Sequence, residues 1–142
     1  MERLPNSSGC FVCGTQEENP RGLAVALYWD DEARQTVIPF EADRSWCGYE
    51  GVVHGGIQAA LADDAMAWAI RRGEGIWSVT ARMEGTYRKP VPMGRPLKAL
   101  GRVVSRKGRK IATEAEIVDE AGEILAQFKA LFIEVDEKSL RR

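Results

Sequence analysis

The sequence predicts an α+β fold in which a curved antiparallel sheet of about six strands wraps one long central helix. Two observations carry that reading. A single stretch, from about Gly56 to Arg72, repeats its apolar residues at the helical period. On either side of it the period drops to two, and the later alternating runs are joined by short turn-forming sequences. Consecutive hairpins give antiparallel pairing. A helix that is apolar on several faces needs cover on several faces, so the sheet has to curl. A second subunit is expected over what remains.

Residues 1–22 read as a lead-in loop, punctuated by Pro5, Asn6-Ser7-Ser8-Gly9, Asn19-Pro20 and Gly22. Leu23 to Trp29 alternates large and small residues, as a strand does, and 30–33 reads as a turn. Arg34 to Phe40 reads as a second strand, with Pro39 marking an edge or a strand end. In the helix, Ile57, Leu61, Ala65 and Trp68 form one stripe, and Ala59, Asp63, Met66 and Ile70 another. Its small alanines let a sheet approach closely. Arg71-Arg72-Gly73 ends it, with cations at the negative pole and a glycine beyond.

Trp77 to Lys89 reads as a long strand, with Val79, Ala81, Met83, Gly85 and Tyr87 on one face and Thr80, Arg82, Glu84, Thr86 and Arg88 on the other. Leu97 to Arg106, Lys110 to Val118 and Glu123 to Val135 complete the sheet. Residues 23–135 are expected to form one domain, and 136–142 a charged tail that frays.

Composition narrows the function. Lys and Arg number 20 against 21 Asp and Glu, a net charge of −1, so neither nucleic acid nor a membrane surface is an expected partner. No apolar run is long enough to span a membrane, and residues 1–6 carry no apolar signal core. Three cysteines, an odd number, point to free thiols and a cytoplasmic setting. Cys10-Phe11-Val12-Cys13 has the spacing of half a zinc site or of a redox pair. No second such pair follows, and the only other soft ligands are Cys47 and His54. The pair reads as small apolar residues packing the lead-in loop, and neither a metal nor a cofactor is assigned.

The chemistry gathers at Gly51-Val52-Val53-His54-Gly55-Gly56, which holds the sole histidine and runs straight into the helix. Backbone N–H groups at a helix start stabilise developing negative charge. Gly55 and Gly56 offer them without a side chain in the way. A carboxylate on the same helix, Asp63, is able to activate water or attack a carbonyl itself. Asp63 lies seven residues beyond Gly56, about 10 Å along the axis, too far for both to serve one carbonyl. A two-fold dimer places Asp63 of one subunit opposite Gly55 of the other. Each part also has a plainer reading: His54 as a hydrogen-bonded structural residue, Gly-Gly as a turn, Asp63 or Asp64 as an arginine's partner.

Taken together, Gly-Val-Val-His-Gly-Gly followed by an acid nine residues after the histidine resembles the hot-dog-fold acyl-CoA thioesterases of the PaaI-like and 4-hydroxybenzoyl-CoA thioesterase type. Cys-x-x-Cys-Gly with Asn-Pro-x-Gly-Leu in the lead-in, and Thr86-Tyr87-Arg88-Lys89-Pro90-Val91, extend the likeness over about residues 10–134. The resemblance implies an acyl-CoA thioester hydrolase acting as a homodimer or homotetramer. It implies a catalytic set of Asp63, Gly55 and His54, with His54 shaping the turn, and Thr80 placing the water. Asp64 would be structural. Gly56 and, at the acyl site, Cys47 and Gly48 would touch substrate. Gly48 stands where many members carry Asn or Gln. Arg88, Lys89, Arg106, Lys107 and Arg109 are basic residues suited to coenzyme A phosphates. A hot-dog hydratase or dehydratase, or a non-catalytic acyl-CoA-binding module, are the alternatives.

Overall fold

The computed structural model describes residues 1–140. Helix α1 spans Gly55–Glu74. Seven strands form one antiparallel sheet: β1 (Glu2–Arg3), β2 (Tyr28–Asp30), β3 (Gln35–Phe40), β4 (Trp77–Tyr87), β5 (Leu97–Lys107), β6 (Lys110–Val118) and β7 (Ile124–Val135). Their spatial order is β1-β2-β3-β5-β6-β7-β4. The sheet curls around α1, which packs against β3, β4, β5, β6 and β7.

The helix sits close because its inner face is small. Ala62, Ala65 and Ala69 are fully buried. Opposite them β5 offers Gly101, where a Cβ would lie 2.5 Å from the Ala65 carbonyl carbon. Leu61, Met66 and Ile70 fill the space to either side, and Phe128 and Phe132 close it from β7. Ala126, Phe128, Ala130 and Phe132 face the core together, as the period of two requires.

The sheet has one strand more than expected, because Glu2–Arg3 pairs with Tyr28 and Trp29. The strand expected from Leu23 is shorter and begins at Tyr28. Ala24 takes a positive φ of 52°, which breaks the extended run. The Leu23 and Val25 N–H groups turn to the carbonyls of Phe11 and Val12 in the lead-in loop. Pro39 lies inside the sheet opposite Lys98 of β5, while β2 pairs only as far as Val37 and leaves Pro39 on a one-sided stretch of β3. The helix runs one half-turn beyond Arg72. Gly75, at φ 72°, caps it by donating to the Arg71 carbonyl, and Gly73 instead lies under the Trp29 ring.

β4 departs from a simple alternation. The register shifts between Thr80, opposite Phe132, and Arg82, opposite Leu131, leaving Ala81 as a bulge. Thr80 therefore reaches the helix on the same side as Met83 and Tyr87, rather than on the face opposite them. β4 also ends the sheet. It pairs only with β7, and its other edge, eleven residues long with Val79 39 % exposed, is open. At the chain end, Glu137–Leu140 forms a 3₁₀ turn where a frayed tail is expected; Arg141 and Arg142 lie outside the described residues.

Candidate active site

The helix start is built by His54. As N-cap it accepts the Gly56 N–H on Nδ1 at 2.8 Å, and its carbonyl accepts the Gln58 N–H at 3.0 Å. Its own N–H donates to the Trp46 carbonyl at 2.8 Å. The imidazole nitrogen nearest the turn is thus engaged in shaping it. A Cβ on Gly56 would lie 3.1 Å from Nδ1, which accounts for glycine there.

Gly55 opens the helix, and its N–H has no partner among the described residues. Its carbonyl accepts the Tyr87 hydroxyl at 2.8 Å. Burial pushes that hydroxyl's pKa up, which keeps it a donor. Gly55 lies in the wall of an open pocket of about 640 Å³, with Gly48, His54, Gln58, Tyr87 and Lys89 around it. A Cβ on Gly48 would press on the His54 Cα at 3.2 Å, so a larger residue there needs the turn to shift by a few tenths of an ångström. Gln58, buried in the same wall, donates Nε2 to the Val53 carbonyl at 3.0 Å and leaves Oε1 without a partner. Cys47 forms a bridge with Val53 but does not line the pocket.

Asp63 belongs to a second cluster. It is half-buried, and its Oδ1 accepts the Thr80 hydroxyl at 2.6 Å. The β4 bulge brings this hydroxyl to the helix. Eight residues separate Asp63 from Gly55 on one helix, about 12 Å of axial rise. Neither Asp63 nor Thr80 lines the Gly55 pocket. One chain therefore joins Asp63 to Thr80 and Gly55 to Tyr87, but not the two pairs to each other.

Asp64 turns the other way, into the protein. It is 9 % exposed, with Oδ2 unpartnered and Oδ1 3.9 Å from the Cys10 sulfur. Burial, then the Cys10 charge, push its carboxyl up to about 7. The Cys13 thiol, hydrogen-bonded to Cys10, holds the Cys10 thiol down at about 5. That same bond, and then burial, push Cys13 upward.

The basic residues divide between the two ends of the helix. Arg88 and Lys89 line the Gly55 pocket, with Arg88 on Gln127 and Lys89 2.7 Å from Glu123. Arg106 pairs with Glu134 and with Glu74 at the far end of α1, and Arg109 donates to the Glu134 carbonyl. Lys107 lies at the same β5–β6 turn. Two pocket residues, Tyr87 and Gln58, are absent from the site expected from sequence. Tyr87 stands inside the strand-end motif and on the face that alternation gives it, but nothing local shows that its hydroxyl meets the Gly55 carbonyl 32 residues away. Gln58 was legible only as a polar residue in an apolar helix.

Known proteins place the chain in one family. The chain is 26 % identical over 136 residues to an uncharacterized mitochondrial membrane protein, FMP10, of Saccharomyces cerevisiae, covering 86 % of this chain and 56 % of that protein. It is 29 % identical over 126 residues to the mouse acyl-coenzyme A thioesterase THEM4, covering 87 % of this chain and 54 % of the relative. The chain thus spans about half the length of these two relatives. Among solved structures, the thioesterase superfamily protein RHA08564 superposes with a TM-score of 0.77 at 29 % identity, covering 82 % of this chain and 59 % of that one. The expected hot-dog architecture is thereby borne out. No helix among the described residues is long and apolar enough to cross a membrane. Residues 50–126, from just before His54 to the first residues of β7, match the Thioesterase superfamily model, and the chain belongs to that superfamily.

Proposed function

We propose that the chain hydrolyses acyl-CoA thioesters to a free acid and coenzyme A, with each site shared across a homodimer. One observation carries the reading. The hydroxyl-held carboxylate and the unpartnered helix-start N–H occur on one chain, yet about 12 Å apart along the helix axis. The open edge of β4 beside Thr80 is the surface on which a second copy would lie. A two-fold arrangement sets Asp63 of each subunit against Gly55 of the other, and such a dimer is also the unit from which a homotetramer would be built. The acyl-coenzyme A thioesterase among the relatives supports the substrate class.

In this mechanism Thr80 orients Asp63, which takes a proton from water as the water oxygen attacks the thioester carbonyl carbon. The N–H of Gly55 holds the resulting oxyanion, a contribution of several kcal/mol. Collapse of the tetrahedral intermediate breaks the C–S bond, and the coenzyme A sulfur leaves with the proton. His54 keeps the Gly55–Gly56 turn in shape. Arg88 and Lys89 at the pocket rim attract the phosphates. Three free cysteines support a reducing compartment such as the cytoplasm.

The test is thiol release from acyl-CoA substrates by two inactive variants, alone and mixed. Asp63→Ala removes the carboxylate. Gly55→Pro removes the N–H at the first helical position, where proline fits and where His54 already has a ψ of 133° that suits the residue before it. Each variant alone is expected to lose at least about a hundredfold in kcat. Co-refolded, they regain activity because a mixed dimer contains one intact site. Mixtures no more active than either parent overturn the shared site. A fully active Asp63→Ala overturns the assignment of the carboxylate.

A further inference from the structure

We propose that Cys10, Cys13 and Asp64 form a site for one zinc ion, which clamps the lead-in loop onto the middle of helix α1. The three ligand atoms lie within 4.8 Å of one another. Zinc bonds of about 2.3 Å to sulfur and 2.0 Å to oxygen, at a tetrahedral angle, would set S and O about 3.5 Å apart. The Cys10 sulfur and Asp64 Oδ1 are 3.9 Å apart before any ion draws them in.

The loop is shaped to hold thiolates. The N–H groups of Val12 and Cys13 point at the Cys10 sulfur at 3.3 and 3.5 Å, and the Ser7 N–H points at the Cys13 sulfur at 3.4 Å. Such donors disperse the charge of a metal-bound sulfur. The turn closes so tightly that a Cβ on Gly14 would lie 2.5 Å from the Cys10 carbonyl oxygen. Gly22 is held by the same closeness, 2.5 Å from the Phe11 carbonyl oxygen. Both glycines of the lead-in motif thus serve the loop that presents the two sulfurs.

Asp64 supplies the independent observation. Its carboxyl is nine-tenths buried and aimed at the cysteines, and Oδ2 has no hydrogen-bond partner. Among the described residues no Lys or Arg forms an ion pair with it. A divalent ion supplies the missing positive charge. Two thiolates and one carboxylate favour zinc over the hard cations that take oxygen ligands only. Ser7 and Asp64 both line an adjoining cleft of about 160 Å³, from which water would complete the fourth corner.

Metal-free protein titrated with Co²⁺ tests the site without reference to hydrolysis. The expected result is one equivalent bound, with a thiolate-to-cobalt charge-transfer band and intense tetrahedral d–d bands, both displaced by Zn²⁺. Cys13→Ser is expected to abolish the charge-transfer intensity or halve it. Asp64→Asn should weaken cobalt binding at least tenfold while retaining a native circular dichroism spectrum. A wild-type protein that binds no cobalt tightly overturns the proposal. So does a Cys10–Cys13 disulfide that forms in air equally fast with and without Zn²⁺, seen as the loss of two hydrogens by mass spectrometry. Should Asp64→Asn fail to fold, the disulfide assay on the wild type decides alone.

Discussion

Asp63 and Asp64 are neighbours in sequence and opposites in environment. A step of one residue turns the helix by about 100°, enough to move a side chain from one packing partner to another. Asp63 meets β4, where a bulge delivers the Thr80 hydroxyl at 2.6 Å and the sheet edge lies open. Asp64 meets the lead-in loop, where two thiols surround it and one oxygen is left buried and unpaired. On the proposed mechanism the same functional group is offered to substrate in one case and to the protein's own loop in the other. The difference teaches that what packs on each helix face, rather than the helix itself, assigns a carboxylate its work.

Replacing each acid by its amide separates the two roles. Asp63→Asn keeps the shape and the Thr80 contact but removes the proton acceptor, so kcat for thiol release should fall about 10²- to 10⁴-fold, with Tm unchanged within a few degrees. Equal loss of stability and activity would make Asp63 a structural residue like its neighbour. Asp64→Asn acts on a different readout. Wild type in zinc at about a hundredfold excess over Kd gains about 2.7 kcal/mol, a rise in Tm of roughly 5–10 °C over the chelated protein. Thermal melts of Asp64→Asn with zinc and with chelator should differ by far less. An undiminished zinc effect in that variant would return Asp64 to plain burial.

How far the sequence reveals these two residues follows from which interactions are local. The helix and four of the long strands are legible because period alone marks them, and the boundaries of Lys110–Val118 match the expected ones. The His54 turn is legible because an N-cap and two glycines are contiguous. The β4 bulge is not, because it depends on the partner strand β7, and so the alternation puts Thr80 on the wrong face. The encounter of Asp64 with Cys10 spans 54 residues and needs the folded loop. A single CxxC therefore reads as packing, since no second pair announces the remaining ligand. Leu23 to Leu27 misleads for the same reason. It alternates like a strand, but its hydrogen bonds go to a loop that no local pattern connects to it.

Thr80→Val sharpens the Asp63 side of the comparison. The substitution keeps the β-branched shape and removes only the hydroxyl that donates to Asp63. A lost hydrogen bond to a charged acceptor is worth about 1.5–3 kcal/mol, so kcat should drop by about ten- to a hundredfold. KM should hold, because Thr80 lies outside the pocket wall. A Thr80→Ser control, with the hydroxyl restored, should recover most of the rate. A rise in KM at constant kcat would instead place Thr80 in substrate contact.

The smallest expected effect lies at the start of the helix, on the half of the site that the proposed dimer would set against Asp63. The Tyr87 hydroxyl donates to the Gly55 carbonyl, and its ring meets Phe128 edge-on with centroids 5.6 Å apart. Tyr87→Phe leaves the ring contact and removes one hydrogen bond to a neutral acceptor, worth about 1 kcal/mol. The Gly55 peptide then loses one constraint on the direction of its helix-start neighbour groups. A loss of two- to fivefold in kcat/KM, with Tm nearly constant, is the expected outcome. A loss as large as that of Gly55→Pro would mean that Tyr87 does more than hold the turn and itself donates to the reacting carbonyl. That outcome would move the oxyanion contact from the helix backbone to a side chain, and the contrast between the helix start and the mid-helix carboxylate would have to be redrawn.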